Sequence, residues 1–282
     1  MAVYALIGYP LEHSLSPQVM ASLFEETGVD AKYTLFPVKP ERLAEGVKSL
    51  LSMKIAGFNI TRPFKKSIIP LLTELSDEAK AIGAVNCVKV VYPVLTTDTP
   101  LTKFAHSDLD LKKAEIRLVG YNTDAYGFST LLDLLPGSRI RNTEFRVIVL
   151  GTGGSAKAVA YVLSKRGILF TFIRRSTIPV SNTPNPAQAA DYSTLPALLA
   201  HASLVVNCTP VGQFPNVSEM LPIPLDGITK GHAVIDLIYN PEKTKLLAEC
   251  EKRGATVLNG YPMLVAQAEK SLEIWLGRPE VA

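Results

Sequence analysis

The sequence predicts an α/β fold in two domains, an α/β domain followed by a doubly wound parallel sheet. Three observations predict it. Short apolar runs alternate along the chain with amphipathic segments, and parallel strands need crossovers of that kind. The continuous run Phe145-Arg146-Val147-Ile148-Val149-Leu150 reads as a strand buried on both faces, and it feeds directly into a glycine-rich turn. The length, 282 residues, exceeds the roughly 100–200 residues of a single domain.

Taken in order, residues 3–7 form a first strand. Ser16-Pro17 opens a helix that runs to residue 26 and stops at Gly28. Residues 32–37 are a second strand, 40–53 a helix and 55–60 a third strand, with a short helix over 68–72. Residues 85–91 and 116–119 read as a strand pair, and the Thr-, Asp- and Pro-rich stretch 92–115 between them as an extended excursion. Beyond Asp124 come a helix over 126–135, the buried strand at 145–150, and a helix to Arg166 that Gly167 stops. Further strands are expected at 169–173, 204–207, 233–237 and 256–258, and a long helix over 263–275.

Composition excludes several classes. Lys and Arg number 29 against 26 Asp and Glu, a formal net charge of +3, and 47% of residues are hydrophobic. That is too balanced for a dedicated nucleic-acid binder and too apolar for a disordered chain. Cys87, Cys208 and Cys250 are odd in number and scattered, which argues against a disulfide scaffold and for a reducing compartment. No apolar run of about 18 residues stands out, and residues 1–10 lack a basic stretch before their apolar one. The expectation is a cytoplasmic protein with no membrane span and no nucleic-acid partner. The histidines show no metal-ligand spacing, so no metal is expected.

Gly151-Thr152-Gly153-Gly154-Ser155-Ala156 contains Gly-x-Gly-x-x-Ala between a strand and a helix, with a second strand about 15 residues on. Glycines let backbone N–H groups approach a pyrophosphate, and the helix N-terminus contributes about half a positive charge toward it. This is the dinucleotide-binding, Rossmann-type pattern; a tight turn with no ligand is the alternative. An NAD site places a carboxylate about 20 residues past the glycines. Here Arg174-Arg175-Ser176 stands there. Guanidinium groups would bond the 2′-phosphate of NADP that a carboxylate repels. At about 1.5–3 kcal/mol per charged hydrogen bond, two arginines favour NADP by about a hundredfold or more.

Polar clusters precede this region. Ser14-Leu15-Ser16-Pro17 places two hydroxyls beside a helix N-terminus, an arrangement that suits a carboxylate; N-capping by Ser16 with Pro17 at N1 is the other reading. In Asn59-Ile60-Thr61-Arg62-Pro63-Phe64-Lys65, strand alternation puts Asn59 and Thr61 on one face, at the strand end where α/β ligands sit. Gly83-Ala84-Val85-Asn86 and Gly120-Tyr121-Asn122-Thr123-Asp124 are two more polar strand ends.

Together these segments resemble the shikimate dehydrogenases, as do His13 to Pro17, Asn207-Cys208-Thr209-Pro210-Val211-Gly212, residues 236–241 and residues 260–267. The resemblance covers nearly the whole chain. It implies NADP-linked interconversion of 3-dehydroshikimate and shikimate, a step toward chorismate and the aromatic amino acids. By the same resemblance, Ser14 and Ser16 hold the ring carboxylate, and Asn59, Thr61, Asn86, Tyr239 and Gln267 orient the ring. Lys65 and Asp124 match the family's catalytic pair. Gly151, Thr152, Gly153, Gly154 and Ser155 cradle the pyrophosphate, Arg174, Arg175 and Ser176 hold the adenosine phosphate, and Thr209, Leu237 and Gly260 line the nicotinamide side. In reduction an alkoxide develops as hydride arrives, and a charged lysine is a ready proton donor to it.

The implied organisation is a substrate domain over 1–124 to which 260–282 return, and an NADP-binding Rossmann domain over 125–259, with a cleft for both ligands. The chain is expected to be a monomer or homodimer acting on a small molecule. Where the family has Asn-Arg-Thr, this chain has Arg174-Arg175-Ser176, and Ile178 and Pro179 stand where a further basic residue is common. Gln213 replaces a usual methionine, and the connection from Asn86 to Gly120 is about 20 residues longer than usual. His13, Cys87, Cys208 and Trp275 read as structural. The alternatives are a quinate/shikimate dehydrogenase using NAD, a non-catalytic NADP-binding regulator of the same fold, and a related hydroxy-acid dehydrogenase of altered ring specificity.

Overall fold

A computed structural model describes residues 1–93, 116–135, 145–174 and 189–277. Most of the expected excursion, from residue 94 to 115, lies outside them. The chain divides into two compact units, Met1–Thr123 with Ala268–Ala282, and Asp124–Gln267.

The first unit holds a mixed sheet. Its elements are β1 (Ala2–Gly8), α1 (Ser16–Thr27), β2 (Ala31–Pro37), α2 (Leu43–Ser52), β3 (Gly57–Ile60), β4 (Glu74–Leu75), α3 (Asp77–Ile82), β5 (Cys87–Val91) and β6 (Arg117–Tyr121). The strand order is β2-β1-β3-β5-β6-β4. β1 pairs in parallel with β2 and β3, whereas β5 runs antiparallel to both β3 and β6. The expected pair at 85–91 and 116–119 is therefore an antiparallel ladder inside a mixed sheet. Gly28 ends α1 in the left-handed conformation, φ 67°, that a residue without Cβ adopts freely. All of β3 is buried, and Phe58 and Ile60 pack with Ile7, Val47, Leu50 and Phe64 in the unit's core.

Two local expectations are corrected. Residues 68–72 form only a 3-10 turn, Ile69–Leu71, in which the Leu71 and Leu72 N–H groups reach back three residues, to the Ile68 and Ile69 carbonyls. The segment 40–53 splits into a 3-10 turn at Pro40–Arg42 and then α2. α3 and β4 were not foreseen; at six and two residues they are too short for periodicity to reveal. Ser76 caps α3 by accepting from the Ala79 N–H at 3.1 Å.

The second unit comprises α4, which starts at the boundary (Thr123–Asp133), β7 (Arg146–Leu150), α5 (Gly154–Lys165), β8 (Leu169–Arg174), β9 (Ala189–Asp191), α6 (Leu195–Leu199), β10 (Leu204–Asn207), β11 (Ala233–Asp236), α7 (Lys245–Glu251), β12 (Thr256–Leu258) and the start of α8 (Tyr261–Leu276). Its strands are all parallel, in the order β12-β11-β10-β7-β8-β9. Counted from β7, that is 3-2-1-4-5-6, the doubly wound Rossmann order. The order reverses between β7 and β10, and ligands of such sheets bind outside the strand ends at that switch. Ile148, Leu150, Ile173, Val205 and Val234 pack one face of the sheet against Leu195, Leu199, Leu246 and Leu247.

Candidate active site

In the first unit the polar residues collect at the ends of strands. Leu15, not Ser16, occupies the N-cap of α1, and no side chain caps the helix. The capping alternative for Ser16 is thus corrected: the helix begins at Ser16 itself. The Ser14 hydroxyl donates to Ser16 Oγ at 3.2 Å and accepts the Ser16 N–H at 3.3 Å. Two half-buried hydroxyls therefore converge at the start of a twelve-residue helix, a pair that suits an anionic group.

Asn59 and Asn86 are buried and wired to one another. The Tyr33 hydroxyl donates to Asn59 Oδ1 at 2.8 Å. Asn59 Nδ2 donates to the Asn86 carbonyl at 3.2 Å and to Ser271 Oγ at 2.9 Å. Both amide protons of Asn59 are spent within the protein, so toward a ligand it offers an acceptor. Asn86 clasps Thr123 from two sides: its Nδ2 donates to Thr123 Oγ1 at 2.9 Å, and its Oδ1 accepts the Thr123 N–H at 2.6 Å. Ser271 and Thr123 hydroxyls lie 3.1 Å apart. This network anchors the residue immediately before Asp124. Thr61 follows β3, where its amide donates to the Ile7 carbonyl, and half-buried Lys65 accepts the Val85 N–H on its own carbonyl.

Cys87 neighbours this network and is buried. Burial pushes its thiol up to about 12, against the lowering by hydrogen bonds with Ser271 and Trp275, so it stays protonated.

In the second unit the glycine loop leaves β7 at the switch. Gly151 has φ +100°, and its N–H donates to the Ile173 carbonyl at 2.8 Å. A Cβ on Gly151 would stand 3.0 Å from Thr209 Cγ2, which sets the loop after β7 against the loop after β10. A Cβ on Gly153 would meet no atom within 4 Å, and no side chain caps α5, whose first residues are Gly154 and Ser155. Open space before an uncapped helix N-terminus fits a dinucleotide pyrophosphate. Thr152 sits half-buried in the same loop.

Arg174 is the last residue of β8, half-buried, in register with Asp191 of β9. Arg175, Ser176, Ile178 and Pro179 lie outside the described residues. Gly260 packs tightly on another turn: a Cβ there would collide with the Leu237 carbonyl, and its N–H donates to the Ile238 carbonyl at 3.0 Å. Tyr239, half-buried, follows two residues later on the same turn as Leu237. Gly127 brings α4 against α8, since a Cβ there would lie 2.6 Å from the Met263 carbonyl and 3.1 Å from Gln267 Cβ. Gln267 therefore packs beside the helix that carries buried Asp124. Its Nε2 donates to the Leu264 carbonyl at 2.8 Å.

Tyr33, Thr123, Ser271 and the buried trio Asn207, Asp236 and Thr244 were not named from sequence as site residues. Asn207, Thr123 and Asp236 lay within quoted motifs, whereas nothing local marks Ser271 in the middle of a helix.

The family model of the shikimate dehydrogenase substrate-binding domain matches residues 6–88. The NADP(+) shikimate dehydrogenase of Shouchella clausii is 35% identical over 289 residues, spanning 98% of this chain and 93% of that protein. The shikimate dehydrogenase structure from Aquifex aeolicus is 33% identical and superposes with a TM-score of 0.77, covering 100% of this chain and 94% of that one. The Thermus thermophilus shikimate 5-dehydrogenase, solved with NADP(H) and shikimate, is 29% identical with a TM-score of 0.75, covering 98% and 94%. Among the described residues, no helix is long and apolar enough to cross a membrane, and no group of three His, Cys, Asp or Glu could hold a metal.

Proposed function

This chain belongs to the shikimate dehydrogenase family, and from that premise we propose that it reversibly reduces 3-dehydroshikimate to shikimate with NADPH. The observation that carries the reading is the open space over Gly153 before the uncapped N-terminus of α5, at the switch point of a doubly wound sheet. NADPH, when bound, supplies the hydride. The protein's own residues do the rest.

Ser14 and Ser16 hold the ring carboxylate through their hydroxyls. Asn59, Thr61, Asn86, Tyr239 and Gln267 orient the ring. Lys65 Nζ gives a proton to the ketone oxygen as negative charge develops on it, with Asp124 as its acidic partner. Gly151, Thr152, Gly153, Gly154 and Ser155 receive the pyrophosphate. Arg174, Arg175 and Ser176 bond the 2′-phosphate, and no carboxylate stands among them to repel it. Thr209, Leu237 and Gly260 line the nicotinamide side. Residues 1–124 with 260–282 serve as the substrate domain and 125–259 as the NADP domain.

The protein acts on a small molecule in the cytoplasm, as a monomer or homodimer, with no nucleic-acid partner. Three scattered cysteines and a net charge of +3 support that setting.

The test is absorbance at the reduced-nicotinamide band with shikimate or quinate, each crossed with NADP or NAD. Turnover is expected with shikimate and NADP. No turnover in any of the four mixtures would reject the reaction.

A further inference from the structure

Asp236 is fully buried, ionisable and unused by the proposed reaction. It ends β11 directly opposite Asn207, which ends β10. Each of the two side chains folds back on the backbone two residues ahead. Asn207 Oδ1 accepts the Thr209 N–H at 2.9 Å and the Thr209 hydroxyl at 2.8 Å. Asp236 Oδ1 accepts the Ile238 N–H at 3.1 Å. One bond ties the two turns together, Asn207 Nδ2 donating to Asp236 Oδ1 at 3.0 Å. The second carboxylate oxygen accepts the Thr244 hydroxyl at 2.7 Å, and Thr244 in turn accepts the Leu247 N–H at the start of α7.

We propose that Asp236 is a positioning residue for the cofactor site, setting Thr209 through Asn207 and the Leu237 turn through the Ile238 amide. The inference rests on the reading that Thr209 and Leu237 line the nicotinamide side. Its physical basis is the demand on this one side chain. Three donors, Asn207 Nδ2, the Ile238 N–H and the Thr244 hydroxyl, converge on a fully buried group, and a carboxylate accepts all three with nothing of its own to donate. Asn207 spends its own acceptor on Thr209, so its amide needs an acceptor elsewhere, and Asp236 supplies it, fixing the side chain with Oδ1 facing Thr209. Without that hold the Asn207 amide is released to rotate, and the Thr209 hydroxyl loses its fixed direction. Gly260 packs on the Leu237 carbonyl, so a shift of that turn reaches a second lining residue.

The experiment is calorimetric titration of the full chain with NADP+ and, separately, with shikimate. Asp236→Ala is expected to raise the Kd for NADP+ about tenfold, the equivalent of one to two lost hydrogen bonds. Its Kd for shikimate should stay within about twofold. Asp236→Asn keeps an acceptor toward Asn207 and Ile238, and is expected to bind NADP+ within about threefold of wild type. Should Asp236→Ala fail to fold, Thr244→Val removes a single donor and is expected to weaken NADP+ about threefold, again selectively. An unchanged Kd for NADP+ in the folded variant, or equal losses for both ligands, overturns the proposal. A wild-type chain that binds NADP+ yet never oxidises shikimate rejects the reaction, and the Kd values still decide the role of Asp236. A wild-type chain that binds no NADP+ overturns both.

Discussion

The indole of Trp275 fills the space that a side chain on Gly57 would need. A Cβ at Gly57 would overlap the indole Nε1 and stand 2.5 Å from Cδ1. The indole is held there by its N–H, which donates to the Val88 carbonyl at 3.0 Å, and by Tyr4, stacked at 4.4 Å and 15°. Glycine at the start of β3 is thus the counterpart of the last turn of α8. Gly57→Ala should cost about 1–3 kcal/mol through overpacking. The denaturation midpoint measures it. Trp275→Phe in the same chain should recover part of the loss, and an unchanged midpoint in Gly57→Ala would show that the indole yields freely.

Lys65 is assigned the proton transfer. Removing a general acid lowers a rate by about 10²–10⁴-fold. Lys65→Ala should therefore reduce kcat at least a hundredfold and move the KM for shikimate little. Steady-state kinetics separate the two roles: a large rise in KM with kcat intact would make Lys65 a substrate anchor instead.

Cofactor choice is assigned to the arginines after β8. Arg174 closes that strand, and Arg175 follows it in sequence. Arg175→Asp replaces a phosphate partner by a charge that repels it, so NADPH should weaken far more than NADH. The ratio of kcat/KM for the two cofactors reads this directly. Equal losses would remove Arg175 from the phosphate site.

How much of this was legible in the sequence depended on the range of the interaction. The Rossmann half was open to reading because its signals are local: a buried run at 145–150, a glycine turn, then a helix stopped by Gly167. The short elements were not. β4 has two residues and β9 three, too few repeats of a two-residue alternation to stand out. Distant pairing was equally hidden. Ser271 meets Asn59 across a separation of 212 residues, from an ordinary position in a long helix. Asn59 was singled out by strand alternation, but that its amide protons are spent on Asn86 and Ser271 is a property of the assembled unit. Asp236 looked like part of a motif, and only the fold shows three donors closing on it.

That burial gives Asp236 a measurable signature in stability. Desolvation raises its pKa from 3.8 to about 6, the hydrogen bonds from Thr244, Ile238 and Asn207 opposing the shift without cancelling it. Between these values the folded chain keeps a proton that the unfolded chain releases. The stability this adds is fully present below about pH 4 and is lost as pH rises through about 6, on the order of 3 kcal/mol. Asp133 acts in the opposite sense. Its hydrogen bonds from Arg166 hold its carboxyl below the usual range, so its contribution is lost toward acid. The overall profile mixes both, and a difference isolates one. Asp236→Asn cannot titrate, so the gap in unfolding free energy between wild type and variant should narrow or reverse in wild type's disfavour from pH 4 to pH 7. Denaturant titrations at intervals across that range measure the gap, and a pH-independent gap would mean that Asp236 titrates alike in the folded and unfolded chains.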